Sequence, residues 1–341
     1  MTYGDQRLVG SAFWLNIPRT FDAVKVRYQE ASFGVDVFAA GVVYNRRDHF
    51  NQSNFQDVLS GAYFDFPGLS KTSVVEAYVF ARNVGRGIVT DDWSLVPAPA
   101  RMPAPQDTYT IGLRNKSKPG AHGPWDYTFE VAYQFGDRTA VFPATAVAAA
   151  LAAPRLEHDA WALIAQAGYS WKDRPLKPRL ALLVSMATGD RNAADVNSGT
   201  FQNLFPSNHG LYGAMDLSSL QNIEDFRLSL SLKPGAKTSL ALDLHQQYLA
   251  STHDYWYNPA GVPRNTPGAA PGSGRGFGIN PGYSSNLGQE VDVVAGWSAV
   301  HGLLLEAGLG HFFRGDYIKA SFQAVGSKDA NYVYLQATVN L

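Results

Sequence analysis

The feature that most constrains this chain is a two-residue alternation of apolar and polar side chains, repeated in stretch after stretch. Trp125, Tyr127, Phe129, Val131, Tyr133 and Phe135 share one side of a stretch. Asp126, Thr128, Glu130 and Gln134 share the other. Phe226, Leu228, Leu230 and Leu232 likewise oppose Asp225, Arg227, Ser229, Ser231 and Lys233. Leu303, Leu305, Ala307 and Leu309 oppose Glu306 and Arg314. Period two is the signature of a β-strand with unlike faces. It predicts strands at about 20–30, 33–45, 57–66, 71–83, 106–115, 125–136, 158–171, 176–189, 223–233, 236–250, 287–299, 301–314 and 329–341. The breaks between them alternate short and long. A soluble sandwich has no reason to keep that order, whereas a membrane barrel has short periplasmic turns and long outer loops. Many stretches reach the length of roughly ten residues that a tilted membrane-spanning strand requires. The reading is therefore all-β: an antiparallel transmembrane β-barrel of about 13–14 strands, its apolar face toward lipid and its charged face toward a wet lumen.

The last strand, Ala330 to Leu341, runs to the end of the chain. An edge left bare is avoided in soluble proteins, and barrel closure removes it. The first strand, Thr20 to Glu30, starts on the long-loop side. Bacterial barrels have even strand numbers with both ends in the periplasm. A further strand is thus expected, either within Tyr3 to Leu15 or upstream of the sequence given.

Composition removes several other classes. The chain has 341 residues, a net charge of −1 and no cysteine. Neither nucleic-acid binding, nor a disulfide framework, nor a thiolate metal site follows. No apolar run reaches the length of a membrane helix, and the Ala-rich stretch from Ala144 to Ala153 is too short. No export signal opens the sequence at Met1. Trp14, Trp93, Trp125, Trp161, Trp171, Trp256 and Trp297 suit aromatic girdles at the membrane surfaces. Sugar stacking is a second role for Trp256 or Tyr255.

Several stretches together resemble the alginate export porin family of Gram-negative bacteria. They are Tyr-Gly-Asp-Gln-Arg-Leu-Val-Gly at 3–10, Arg-Thr-Phe-Asp-Ala-Val at 19–24, Phe-Gln-Asn-Leu-Phe-Pro-Ser-Asn-His at 201–209 and Tyr-Gly-Ala-Met-Asp-Leu at 212–217. Gly-Gln-Glu-Val-Asp at 288–292, His-Phe-Phe-Arg-Gly-Asp-Tyr-Ile at 311–318 and Asp-Ala-Asn-Tyr-Val-Tyr-Leu-Gln at 329–336 follow in order. The resemblance covers essentially the whole chain. It implies an eighteen-stranded barrel in the outer membrane with a narrow, Arg-lined pore for a uronate polymer. In that family the Asp-Gln-Arg-Leu segment follows several upstream strands, so an N-terminally shortened chain is expected. It also implies passive export of an anionic exopolysaccharide, with outer-membrane lipid and periplasmic export proteins as partners and no cofactor.

Alternation places Lys25, Arg27, Arg82, Arg114, Arg179, Arg227, Lys233 and Arg314 on the inward face, with Arg7 and Arg19 near the outer mouth. Arginine suits a uronate because its planar fork accepts a carboxylate through two bonds. The resemblance favours Arg7, Arg19, Arg27 and Arg314 as uronate contacts. Inward carboxylates are numerous too: Glu76, Glu130, Asp243, Glu290, Asp292 and Glu306. Each charge therefore has a plain structural use as well, pairing across the wall. Carboxylates in such number depart from a strongly basic pore and keep a small-solute porin in play. A barrel hydrolase would need an activated serine, and Ser185 with His245 is the pair to test. His245 with Asp243 and Gln247 reads as a lumen hydrogen-bond network rather than a metal site, and His253-Asp254 reads likewise. Ser273 to Gly276 lacks the lysine and the strand–loop–helix setting of a phosphate loop, and reads as a flexible extracellular loop.

Overall fold

The computed structural model describes residues 1–44, 50–85, 105–139 and 153–339. Trp93, most of the Ala-rich stretch 144–153 and the last two residues of the expected terminal strand lie outside them. The strands are β1 (Phe21–Gln29), β2 (Gly34–Tyr44), β3 (Gln52–Asp65), β4 (Ser73–Val84), β5 (Gln106–Ser117), β6 (Trp125–Thr139) and β7 (Arg155–Ser170). There follow β8 (Arg179–Ala187), β9 (Asn197–Ser198), β10 (Ile223–Gly235), β11 (Thr238–Tyr248), β12 (Asn286–Val300), β13 (Leu303–Arg314) and β14 (Ala330–Val339). One helix, α1 (Asp316–Ser321), follows β13. All strands belong to a single 14-stranded sheet. Apart from the two-residue β9, which pairs with β7 in parallel, each strand pairs with its neighbours in chain order. This is an up-and-down antiparallel meander.

Exposure fixes which face is which. In β6, Trp125, Phe129, Tyr133 and Phe135 are exposed, while Thr128, Glu130, Ala132 and Gln134 are buried. Val24, Val79, Ile111, Trp161, Leu182, Leu228, Trp297 and Leu309 continue the exposed apolar face on other strands. A soluble fold would bury these side chains and expose the polar ones. The inversion is that of a membrane barrel. Trp125, Trp161, Trp171 and Trp297 lie on the outer surface, whereas Trp256 is buried and Trp14 stands inside the sheet against His209. Two of the expected girdle residues therefore serve the interior.

The sheet curves far enough for one interior segment to touch distant strands. Tyr3 hydrogen-bonds Asp36 of β2, Asp5 pairs with Arg114 of β5, and the carbonyl of Trp14 accepts from Gln336 of β14. Residues 3–15 form this interior segment rather than a wall strand. Phe205 N donates to Leu8 O at 2.9 Å and Gly10 N to Phe205 O at 2.8 Å. Residues 1–20 and 199–222 thus satisfy each other's backbone within the sheet's concave side. Their apolar side chains Leu8, Val9, Phe201, Leu204, Phe205, Tyr212 and Leu220 make an inner core with Phe38, Phe80 and Leu183 of the wall. Among the described residues, β1 pairs only with β2 and β14 only with β13, so the sheet has two edges.

The connection between β11 and β12 and the one between β13 and β14 hold each other by named contacts. Gly276 N donates to Ser321 O at 2.7 Å and Ala324 N to Gly274 O at 2.9 Å. Phe277 packs against Trp256, Tyr317 and Phe322. The Ser273–Gly276 turn, expected to be a flexible loop, is held against α1 because the helix end supplies its backbone partners.

Candidate pore interior

Arg27, Arg82, Arg114, Arg179 and Arg314 of the inward face are engaged by carboxylates, Arg227 by a backbone carbonyl. Arg82 Nε and Nη2 donate to both oxygens of Asp57, at 2.9 and 2.7 Å, with both side chains buried. Arg179 grips Asp126 the same way, at 2.8 and 2.5 Å. Arg114 bridges Glu76 of β4 and Asp5 of the interior segment, the latter at 2.7 Å, and Lys116 reaches the same Asp5 oxygen at 2.9 Å. Lys25 and Arg27 share Asp36, and Arg27 also meets Asp65 at 2.5 Å. Arg314 lies 3.5 Å from Asp329 and donates to Ser327 Oγ. Arg227 donates to the Gly210 carbonyl at 2.9 Å.

Arg7 and Arg19, expected near the outer mouth, are both buried and bound within the interior segments. Arg7 Nη1 donates to Tyr212 OH at 3.5 Å. Arg19 Nη1 donates to the carbonyls of Gly10 and Pro206 at 2.9 and 2.7 Å. The guanidinium groups of Arg19 and Arg82 both lie over the Phe205 ring, at 5.7 and 4.4 Å from its centroid, within cation–π range. The family-like stretches at 3–10, 19–24 and 201–209 thus meet at Phe205, through its backbone bonds to Leu8 and Gly10 and its ring under Arg19. Burial alone would raise the Asp5 carboxyl, but Arg114 and Lys116 outweigh it and hold the group below the ordinary carboxylate range.

The β10–β12 wall has the opposite character. Asp225, His245, Glu290 and Asp292 are buried there on neighbouring strands. Cross-strand register sets Asp243 opposite Asp292 and His245 opposite Glu290. His245 Nδ1 lies 2.8 Å from Asp225 Oδ1. The other two carboxylates are met by backbone: Ala214 N donates to Asp292 at 3.0 Å and Met215 N to Glu290 at 2.8 Å. Gly213, at φ +102°, lets the loop come this close, since a Cβ there would collide with the Glu290 carboxylate. Gln247 extends the network to the Tyr212 carbonyl and Ser218. Among the described residues no group of three His, Asp or Glu side chains is placed to hold a metal ion.

Ser185 and His245 do not assemble into a nucleophile–base pair. Ser185 stands on β8, opposite Asp225 on the intervening β10. His245 on β11 turns Nδ1 toward Asp225, and neither its Nε2 nor Ser185 Oγ finds a hydrogen-bond partner among the described residues. Two strand spacings, roughly 9–10 Å, separate the serine and histidine backbones.

Sequence reasoning missed two contributors, Arg138 and Asp5. Arg138, past the expected end of β6, is buried and donates to the Thr200 carbonyl at 3.1 Å. Asp5 lies in a non-periodic segment, and Asp254, read from the sequence with His253 as part of a hydrogen-bond network, is such a centre. Asp254 accepts from Asp190 N, Thr200 Oγ1, Tyr255 N and Tyr257 OH at 2.6–3.0 Å. It ties the loop after β8 to the loop after β11. Trp256 is covered by Arg264, whose guanidinium lies 4.3 Å from its centroid, so its face is not open to a sugar.

Comparison with known proteins places this interior in a family. The model of the alginate export family matches residues 1–332. No curated protein sequence matches significantly. Among solved structures, OccK11 (OpdR) of Pseudomonas aeruginosa is similar, with a TM-score of 0.51 at 12% identity over 95% of this chain and 71% of that one. The siderophore receptor PiuA of Acinetobacter baumannii covers 87% of this chain and 55% of its own, with a TM-score of 0.34 at 12% identity. The likeness to OccK11 extends to the fold alone. The family match runs through the interior segments as well as the strands, so the chain belongs to the alginate export family: it is an outer-membrane β-barrel, and its polar interior is that of a channel.

Proposed function

We propose that residues 1–341 act as one barrel domain that passively exports an anionic polysaccharide, a uronate polymer such as alginate. The inner arginines are its contacts. It makes and breaks no bond. Periplasmic export proteins deliver the polymer. The observation that carries this reading is the geometry of the arginine forks. Arg82 and Arg179 already hold wall carboxylates through two parallel bonds, the geometry in which a uronate carboxylate is recognised. At Arg179, where both the fork and Asp126 are partly exposed, a passing uronate exchanges with the wall carboxylate at little net change in bonding, which suits transit better than tight capture. Arg27 and Arg314 are accessible among these contacts, with side chains 40% and 30% exposed. Arg7, Arg19, Lys25, Arg82, Arg114, Arg179 and Arg227 complete the lining in this reading.

The test is planar-bilayer conductance of the refolded chain, with reversal potential, before and after polymannuronate is added. Anion-selective current blocked by the polymer is expected. Loss of selectivity in R27Q/R314Q is expected too, and unchanged selectivity in that variant would sink the uronate reading. A second reading, a small-solute porin, is favoured by one observation: the inner cations are largely balanced by carboxylates. Current that the polymer leaves unblocked would select it.

A further inference from the structure

A cavity of about 220 Å³ lies where residues 12–19, 206–216 and 258–260 converge inside the sheet. It is smaller than the ~300–1,000 Å³ of sites for drug-sized ligands, so it suits one ring. Its floor is apolar, with Ala12, Pro206 and Pro259. Trp14 and His209 form one side, stacked with parallel rings at 3.6 Å. His209 Nδ1 is 2.9 Å from Asp216 Oδ2, and the edge of Tyr334 from β14 closes on both rings. This pair of contacts fixes the histidine ring.

Two further observations mark a place for a ligand. Asn208 is 8% exposed and lines the cavity; its Nδ2 donates to Pro259 O at 2.8 Å, while its buried Oδ1 accepts from nothing. An orphaned buried acceptor is costly and calls for a donor. Ala12 and Asp216, both on the cavity, hold φ of +49° and +51°. Non-glycine residues adopt this region at a cost, and it persists where surrounding contacts impose it, often at ligand sites.

We propose that this cavity is a subsite for a single pyranose ring of a saccharide, with preference for a uronate. This rests on the reading of the channel as a saccharide exporter. A pyranose presents C–H groups to an apolar floor and hydroxyls around its rim. One hydroxyl donates to Asn208 Oδ1, and the Asp216–His209 pair faces the others. The guanidinium of Arg19, also on the cavity, supplies positive charge for the carboxylate. Asn208, His209 and Asp216 position the ring and perform no chemistry.

The experiment titrates the full chain in detergent with mannuronate and with glucose, following heat and tryptophan fluorescence. The wild type is expected to bind mannuronate more tightly than glucose. N208L removes the sugar's bond to Oδ1, along with the Nδ2 bond to Pro259 O, and is expected to weaken binding about three- to tenfold. A260F fills the cavity while leaving every described hydrogen bond in place; it is expected to abolish binding with the thermal unfolding midpoint unchanged. No sugar binding by the wild type, or equal binding by A260F, would overturn the subsite. Polymer block equal in wild type and A260F, with sugar binding equal as well, would leave the export reading standing and the subsite refuted. Sugar binding lost in A260F, with no polymer block of the wild type, would leave the subsite standing and the uronate export reading refuted.

Discussion

Arginine does two separable jobs in this molecule, and burial tells them apart. Arg82 and Asp57 are 6% and 1% exposed at the side chain, so neither charge has water to fall back on. Removing one partner strands the other. R82L is therefore expected to destabilise the refolded protein by roughly 3–5 kcal/mol, read as a lower urea midpoint in detergent. The double variant R82L/D57L should recover much of that loss, because both charges then leave together. A single variant that unfolds like the wild type would show that the pair contributes nothing. Arg27 and Arg314, in contrast, are partly solvated, and surface pairs of this kind contribute about 0–1 kcal/mol. Their neutralisation should alter ion selectivity with little change in stability. None of these pairings was legible beforehand. Arg114 stands opposite Glu76 in the β4–β5 register, but alternation gives only the face of a residue. Its partner depends on the shear between strands.

The interior segments show how an element without periodicity can still be fixed. Residues 7–12 and 199–222 carry no period-two pattern, because side chains there are buried or half-buried throughout rather than on one face. The sequence accordingly reads residues 3–15 as a wall candidate and 190–222 as loop, although the first and the 199–222 part of the second belong to the interior, and Asn197–Ser198 pairs with β7. Similarly β3 begins at Gln52, not near 57, because the register shift after Gly41 brings Val42 opposite Asn54 and breaks the alternation there. The segment's anchor makes it acid-sensitive. Arg114 and Lys116 depress the Asp5 carboxyl against its burial. Its contribution is complete above the ordinary Asp value of about 3.9 and is lost as pH falls through the depressed folded value. Protease cleavage within residues 1–20 should therefore rise at acid pH in the wild type and be high at all pH values in D5N. Cleavage that is pH-independent in the wild type would remove Asp5 from this role. Asp254 offers the matching test at the loops. It is buried, and burial raises its carboxyl even as four donors satisfy it. D254A should open residues 188–200 and 250–262 to protease while the β-sheet circular dichroism stays unchanged.

At the scale of the whole molecule, the inversion of faces was the most legible property, because each strand carries it locally and the strands agree. The outward side chain of Leu228 faces lipid in this reading. L228R is expected to cost ~2–4 kcal/mol in vesicle folding if it sits near the bilayer midplane. What alternation could not report is how the wall ends. β1 and β14 each have one partner among the described residues, and open edges invite pairing with another strand. Antiparallel pairing alternates, so amides of β14 that point to β13 are bonded and those between them point away. In the membrane-reconstituted chain, hydrogen exchange across Ala330–Val339 should therefore be slow and fast at alternate residues, while β12 and β13, bonded on both sides, are slow throughout. Uniform protection across β14 would mean that its free edge has found a strand, and a cross-link from Leu335 to an outward residue of β1, such as Val26, would then tell closure on β1 from pairing elsewhere. Conductance distinguishes the same states. A wall sealed at this edge supports discrete, stable current steps, whereas an edge that exchanges freely leaves the bilayer leaky or silent.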